Sequence, residues 1–309
     1  MSGFTLPGPW GSGAARRCAP CVISSLLSSC SLNILNPAGP VGRGNAAILI
    51  DATVVMLAIV VPTLILAFWM AWRYRASNTS AEYLPYWSYS GRIEAVVWSI
   101  PILTIMFIGG LIWIGSHRLD PFRPLPSNAP PLEVQVVSLD WKWLFIYPEQ
   151  GVASVNRLVV PSGRPVHFSI TSASVFNAFF VPRLGSMIYA MPGMVSQLHL
   201  QADQPETMWG ISAQFSGDGF SDMQFDVSSL ATADFGAWID RIKSGGQNLD
   251  RDSYTALTHQ SQRVEQATYR IEDPGLFDDI VRQMIPPGPG PQPEAPDHAG
   301  REVSTGGKD

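Results

Sequence analysis

The chain has 309 residues and a formal net charge of −5 at pH 7. Charged residues make up only 15% of it and the mean hydropathy is +0.11, values that are displaced toward membrane proteins. The net negative charge gives no broad basic surface of the kind that binds nucleic acid, so we expect no nucleic acid partner. The apolar residues concentrate before residue 116, which predicts a membrane anchor followed by a soluble domain.

The first 29 residues are predicted to be a signal peptide of the lipoprotein type. Two arginines supply positive charge, a moderately apolar run follows, and Leu27-Ser28-Ser29-Cys30 resembles a bacterial lipobox. We therefore expect cleavage before Cys30 and lipid attachment to its thiol. An uncleaved leader is the alternative.

The cysteines are confined to the first thirty residues: Cys18, Cys21 and Cys30. The CxxC spacing of Cys18 and Cys21 has no second pair, so we expect no metal or redox site there. The rest of the chain has no thiol for a disulfide, a nucleophile or a metal thiolate.

Two apolar runs are each long enough to cross a bilayer as a helix, which takes about 20 residues. We expect transmembrane helices over 46–72 and 94–115. Between them, a connector over 73–93 carries Arg73, Arg75 and Arg92, and the positive-inside rule places it in the cytoplasm. The N-terminal segment 30–45 and everything after the second span then face the periplasm.

One carboxylate, Asp51, falls about one turn inside the first predicted span. A charged side chain is costly in the hydrocarbon core of a bilayer, so its position needs an explanation. We interpret Asp51 as an interfacial residue that reaches the lipid headgroups. A buried functional carboxylate is the alternative.

After a proline-rich linker over 116–131, the apolar period changes to two. Apolar and polar residues alternate over 132–136 and again over 166–170. Further short strands are predicted at 141–147, 157–160, 178–182, 186–190, 195–201, 206–213 and 222–227. Short strands at this spacing predict a β-sandwich or barrel over 132–230.

Helical periodicity returns after residue 230. Apolar residues from Phe235 to Ile242 recur at i, i+3, i+4 and i+7, and Asp273-Pro274 has the pattern of a helix start. We therefore expect a small C-terminal helical arm over 231–285. The segment 286–309 is rich in proline, glycine and charge, and it is predicted to be a disordered tail.

The segment from Ser212 to Met223 has the spacing of a binuclear copper loop without its ligands. In subunit II of cytochrome c oxidases this loop reads Cys-x-Glu-x-Cys-x-x-x-His-x-x-Met, and a second histidine lies on an earlier strand. The corresponding positions here are Ser212 and Ser216 for the cysteines, Gln214 for the glutamate, Phe220 for the histidine, Met223 for the methionine and Asn177 for the earlier histidine.

Further motifs make the chain similar to the quinol-oxidising branch of this subunit II family, the cytochrome bo type. They lie at 140–150, 180–186 and 188–191, and the resemblance runs from about Cys30 to Met284. It implies a membrane-anchored all-β fold, in which a two-helix transmembrane hairpin carries a cupredoxin-like Greek-key β-barrel and a small helical arm.

The resemblance also implies a function. The complex would oxidise membrane quinol, reduce O2 to water and pump protons in an aerobic respiratory chain of the bacterial inner membrane. The haems, the copper and the quinol pocket would belong to subunit I, with other small subunits beside it. A serine hydroxyl is a hard and weak donor to copper, so this chain should hold no metal, and Met223 is interpreted as core packing.

Two further residues take an interpretation from the family. Glu94 begins the second span, where a family glutamate resembles the entrance of a proton-uptake channel. Complementing the helix dipole is the alternative role. Trp141 matches the position at which copper-bearing relatives receive an electron. Without copper, we interpret it as a packed aromatic side chain.

Two other classes of protein stay open. One is a true copper-binding cytochrome c oxidase subunit II, which would need the missing thiolates. The other is a membrane-anchored scaffold lipoprotein without an oxidase partner, for which an anchor and a β domain would suffice.

Overall fold

The computed structural model describes residues 33–82 and 84–290. The chain begins there with a short 3-10 turn, followed by helices α1 (Pro40–Arg73) and α2 (Gly91–Arg118). Both helices are long and apolar enough to cross a membrane, and their most apolar stretches are not buried within the chain. The predicted signal peptide, including Cys18, Cys21 and Cys30, lies outside the described residues.

The two helices extend several residues beyond the predicted spans, toward the β domain. Proline at the first helical position explains the early start of α1, because its ring already has a helical φ. Near the β domain the helices pack through glycines. A Cβ atom on Gly115 would lie 2.5 Å from Cδ1 of Ile48, and one on Gly44 would lie 2.7 Å from Cδ2 of Leu119. The helices are therefore antiparallel neighbours at this end.

The β domain is built from two sheets. The first ten strands are β1 (Leu132–Leu139), β2 (Lys142–Tyr147), β3 (Val152–Val155), β4 (Arg157–Pro161), β5 (Val166–Ser172), β6 (Asn177–Phe180), β7 (Ile188–Ala190), β8 (Ser196–Leu200), β9 (Glu206–Ser212) and β10 (Gln224–Leu230). One sheet has the order β4-β10-β9-β6-β7, and the other contains β3-β2-β1-β5-β8. This arrangement confirms the predicted cupredoxin-like β domain.

The inner faces of the two sheets meet in an aromatic core. Phe179 on β6 stacks on Phe225 of β10, with ring centroids 5.3 Å apart and planes at 13°. Trp143 on β2 meets Phe179 edge to face at 5.5 Å. These rings come from both sheets, so the core joins the sheets directly through inward-facing residues.

One ion pair and several hydrogen bonds attach the β domain to the start of α1 and the residues just before it. Arg43 pairs with Asp203, and Nε of Arg183 donates to the carbonyl of Asn36 at 2.9 Å. The amide of Ala38 donates to the carbonyl of Arg183 at 2.8 Å. The anchor and the β domain are therefore joined at several points beyond the chain connection itself.

The C-terminal arm is less purely helical than the sequence predicts. Its elements are α3 (Thr232–Gly245), β11 (Gln247–Leu249), α4 (Arg251–Thr258), β12 (Ala267–Ile271) and α5 (Leu276–Val281). Strand β12 pairs antiparallel with β3 and adds itself and β11 to the edge of the larger sheet. Because three-residue and five-residue strands carry little periodic signal, sequence reasoning missed both, together with β3.

The predicted disordered tail is wrong for its first residues. The amide of Gly288 donates to the carbonyl of Ala173 at 2.7 Å, and the amide of Gly290 donates to Oδ2 of Asp140 at 3.0 Å. Main-chain donors can dock without any apolar side chain, which is why the composition of the segment gave no sign of it. Residues 291–309 lie outside the described part of the chain.

Candidate functional site

Strand pairing brings the predicted ligand positions together at one end of the smaller sheet. Strand β9 ends at Ser212, a loop follows, and β10 begins directly after Met223. Strand β6 begins at Asn177 and runs antiparallel to β9, with Phe179 opposite Ser212. The first residue of one strand therefore lies beside the last residue of its neighbour.

Polar groups in this pocket satisfy one another. Asn177 is 1% exposed and Ser212 is 3% exposed. The Ser212 hydroxyl donates to Oδ1 of Asn177 at 3.0 Å, and the carbonyl of Gln214 lies 3.3 Å from the same hydroxyl. Nδ2 of Asn177 donates to the carbonyl of Val175 at 3.3 Å. A buried serine and asparagine with these partners carry no unmet hydrogen-bonding demand that a ligand would have to supply.

The second serine lies against the methionine. Oγ of Ser216 is 4.0 Å from Sδ of Met223, and both residues are buried. The Met223 side chain belongs to the main apolar core, and its carbonyl accepts a bond of 3.1 Å from the Ser212 amide. Core packing thus accounts for Met223 without a ligand role.

The remaining two positions face outward. The side chain of Gln214 is exposed, and only its carbonyl reaches Ser212. Phe220 is half-buried and packs edge to face against the exposed ring of Phe215, with centroids 5.6 Å apart. Of the six positions that correspond to copper ligands, four are therefore buried and two lie at the surface.

Trp141 holds the loop from the opposite sheet. Its Nε1 donates to the carbonyl of Ser216 at 3.0 Å, and the ring is 7% exposed. A Cβ atom on Gly219 would lie 2.3 Å from Cδ2 of Trp141, so only glycine allows this approach. Trp141 itself has a φ of 60°, which is uncommon for a bulky residue. Sequence reasoning predicted the packing of Trp141 but missed its bond to the loop.

The residues of this pocket do not fit a copper centre. Bridging copper needs soft thiolate sulfur, whereas the pocket offers two neutral hydroxyls, an amide and a core thioether. Within residues 33–82 and 84–290, no group of three histidine, cysteine, aspartate or glutamate side chains could hold a metal ion. The chemistry of this loop is therefore that of a packed and hydrogen-bonded support.

The buried lysine that follows Trp141 had no sequence signal. Nζ of Lys142 donates to the carbonyl of His259 at 2.8 Å, to Oγ of Ser261 at 2.7 Å and to the carbonyl of Asp140 at 3.2 Å. Loss of hydration lowers the pKa of Lys142 to about 8, and the nearby Asp140 carboxylate opposes that change. The side chain joins the β1–β2 hairpin to the arm.

The two predicted membrane carboxylates occupy different places. Glu94 lies in the first turn of α2 with an exposed side chain, at the end of the hairpin that faces away from the β domain. Asp51 lines a cleft between α1 and α2 near the β domain. The structure does not bring either carboxylate to the loop after β9.

Comparison with known families now defines the class of protein. Residues 133–230 match the family described as "Cytochrome C oxidase subunit II, periplasmic domain". Residues 243–288 match the "COX Aromatic Rich Motif". The β domain and the arm are thus those of an oxidase subunit II.

Individual relatives narrow this class. The chain is 48% identical to "Ubiquinol oxidase subunit 2" of Acetobacter aceti, over 83% of this chain and 84% of the relative. It is 44% identical to "Cytochrome bo(3) ubiquinol oxidase subunit 2" of Pseudomonas aeruginosa, over 90% of this chain and 84% of the relative. The chain belongs to the ubiquinol oxidase subunit 2 family.

A solved structure is also similar to the β domain. It is the periplasmic domain of subunit II of cytochrome oxidase (CoxB) of Bradyrhizobium japonicum, which is 22% identical. The match covers 40% of this chain and 98% of that one, with a TM-score of 0.37.

Proposed function

We propose that this chain is the copper-free subunit II of a quinol oxidase, a complex that oxidises membrane quinol and reduces O2 to water. The observation that carries the proposal is the Ser212–Asn177 hydrogen bond, which stands where a copper-binding subunit would have a cysteine and a histidine. Curated relatives at 44% to 48% identity are named as ubiquinol oxidase subunits, which supports the same function.

Within such a complex the chain supplies structure and no redox centre. The haems and the copper would belong to the partner, subunit I, which would bind the hairpin of α1 and α2 in the membrane. The β domain would cover the outer face of that partner. The attachment of the β domain to the start of α1, through the Arg43–Asp203 ion pair and the hydrogen bond from Ala38 to Arg183, supports a fixed orientation between membrane and domain.

The proposed topology is a two-pass protein of the bacterial inner membrane. Two apolar helices joined by an arginine-bearing connector support a cytoplasmic connector and periplasmic termini. We infer cleavage of residues 1–29 and lipid attachment to Cys30, which would place a third anchor beside the two helices.

Proton uptake is the one chemical role that we propose for a residue of this chain. Glu94 lies in the first turn of α2 at the connector end, where its exposed carboxylate is free to contact a partner subunit and water. A carboxylate at the mouth of a proton path can accept and release protons rapidly. This role depends on a path in the partner that begins beside α2.

Purification through an affinity tag on this chain tests the proposal. We expect a coloured complex that contains haem, oxidises quinol with consumption of O2, and yields no copper in the separated chain. A colourless pure chain would favour the scaffold lipoprotein. Stoichiometric copper in the separated chain would favour a cytochrome c oxidase subunit II.

A further inference from the structure

Asp51 is a charged group in an apolar helix that no cation of the described chain neutralises. It takes part in none of the ion pairs formed by residues 33–82 and 84–290. Carboxylates inside membrane spans are expensive and normally face a polar or cationic partner. A cationic partner for Asp51 would therefore have to come from outside the described chain.

Asp51 opens into a cleft between the two helices. The cleft has a volume of about 620 Å³, and its walls include Ile48, Met106, Phe107 and Gly110. The other walls are apolar except for Arg118, which lies at the mouth of the cleft. A ligand for this cleft therefore needs a mostly apolar body and one group that complements a negative charge.

Helix pairing gives the depth of the carboxylate. Gly44 contacts Leu119, and Gly115 contacts Ile48, in the antiparallel pair of helices. Asp51 comes three residues after Ile48, so it lies level with the residue three positions before Gly115 in α2. At 1.5 Å per residue, this is about 10 Å below the level of Gly44 and about 9 Å below that of Arg118. Arg118 lines the mouth of the same cleft, and among residues 33–82 and 84–290 it forms no ion pair with Asp51.

Glycine leaves the floor of the cleft open. A Cβ atom on Gly110 would meet nothing within 4 Å, and the same is true of the adjacent Gly109. Of these two adjacent glycines, Gly110 lines the cleft and Gly109 does not. Small residues on an open helix face allow the backbone of another membrane helix to approach closely.

We propose that this cleft receives a transmembrane helix of the haem-bearing partner subunit, and that a basic side chain of that helix pairs with Asp51. The negative charge of Asp51 favours a cationic group in the ligand. The position of Asp51 along the apolar helix favours a cation that is carried by another membrane helix. A lipid ammonium group at the level of Arg118 would lie about 9 Å too high by the helical rise. This inference rests on the proposed function, because the oxidase complex supplies the partner.

The first test replaces the carboxylate. Asp51→Asn keeps the shape and hydrogen-bonding groups but removes the charge, and Asp51→Leu removes both. We expect each variant to lower the haem retained per tagged chain in detergent by about three-fold or more, the scale of one polar contact between membrane helices. If the Asp51→Asn variant retains as much haem as the wild type, the proposed pairing of Asp51 with a basic side chain is wrong.

The second test fills the cleft and uses a neighbouring residue as control. Gly110→Leu should displace the incoming helix and lower haem retention, whereas Gly109→Leu should leave it near the wild-type level. Both glycines are equally open in the isolated chain, so neither change should disturb the hairpin itself. Equal haem retention in the two variants would overturn the placement of the partner helix in this cleft.

The wild-type chain separates this inference from the proposed function. If the wild type purifies without haem, the oxidase function itself fails. If the wild type retains haem and every Asp51 and Gly110 variant does too, only the docking cleft fails. Chain abundance in the membrane should be equal throughout, which excludes misfolding as the cause of a loss.

Discussion

The hydroxyl of Ser212 donates a 3.0 Å hydrogen bond to the side-chain oxygen of Asn177. The two residues end one strand and begin its antiparallel neighbour, and both are buried. Ser212 and Asn177 stand at two of the positions that correspond to copper ligands. Their hydrogen-bonded side chains therefore occupy the space between these positions. Removing either partner alone would leave a buried polar group without its bond, at a cost of about 1–3 kcal/mol.

Restoring all donors together should restore copper binding. The five changes are Asn177→His, Ser212→Cys, Gln214→Glu, Ser216→Cys and Phe220→His, with Met223 retained. Because two thiolates can bridge two metal ions, we expect about two copper ions per chain and intense visible absorption. Metal analysis and absorbance of the full chain, refolded with copper, measure this.

Single changes provide the control for the copper experiment. Ser212→Cys alone should bind no stoichiometric copper, because one thiolate cannot bridge two ions among hydroxyl and amide neighbours. If the variant with all five changes folds but binds no copper, the backbone of the loop no longer holds positions 212 and 216 where two cysteines could bridge two copper ions.

Glu94 provides a kinetic prediction. Glu94→Gln should slow quinol oxidation about ten-fold or more, because it removes a group that can accept a proton at the entrance of the path. Glu94→Asp should be milder. Haem content should stay at the wild-type level, since the side chain makes no contact that the fold requires.

The matched control is Glu82→Gln. Glu82 is an exposed acid in the connector that precedes α2, and its loss should leave turnover unchanged. Steady-state O2 consumption measures both variants. Wild-type turnover in Glu94→Gln would assign the carboxylate to the helix dipole alone.

The lowered pKa of Lys142 predicts that the free energy of unfolding increases at alkaline pH. Its pKa falls from 10.5 to about 8 on folding, so the unfolded chain binds more protons between these values. The contribution of this group to the free energy of unfolding therefore increases as the pH rises from about 8 to 10.5, by up to about 1.4 kcal/mol per pH unit.

Lys142→Met should remove this increase. Urea unfolding of the β domain between pH 8 and 10, followed by tryptophan fluorescence, should show a smaller pH dependence in this variant than in the wild type. The exposed Lys243 is the control, and Lys243→Met should keep the wild-type slope. Identical slopes for wild type and Lys142→Met would mean that the buried ammonium retains an ordinary pKa.

Cys30 predicts a lipid anchor. Mass spectrometry of the mature chain should find residue 30 first, with a diacylglyceryl thioether and an acylated amine. Cys30→Ser should lose the lipid but stay in the membrane, because two apolar helices hold it there. Cys21→Ser, a control within the leader, should be lipidated normally. An intact Met1 in the mature protein would contradict this prediction.

Much of the fold could be predicted because its signals are local. The apolar runs of the two spans and the alternation in β1 and β5 follow from the chemistry of neighbouring residues in the chain. The helix over Thr232–Gly245 has a strong periodic pattern of the same kind. The short strands β3, β11 and β12 have no such pattern, and they are strands because β3 pairs with β2, β12 with β3 and β11 with β12.

Part of the candidate site could likewise be predicted from the sequence, and part of it could not. The sequence by itself determined that no thiolate or histidine stands at the positions of the copper loop, and hence that this chain lacks soft metal ligands there. It also determined the presence of Asp51 and Glu94 in two long apolar segments. These are properties of residue identity and local order, so they need no knowledge of distant contacts.

Only the tertiary structure decided what replaced the ligands. Asn177 and Ser212 are separated by 35 residues and meet because β6 pairs with β9. Trp141 reaches Ser216 from the opposite sheet across 75 residues. Hydrogen bonds and van der Waals contacts act over a few ångströms, so partners that are distant in the chain are chosen by the packing of the sheets.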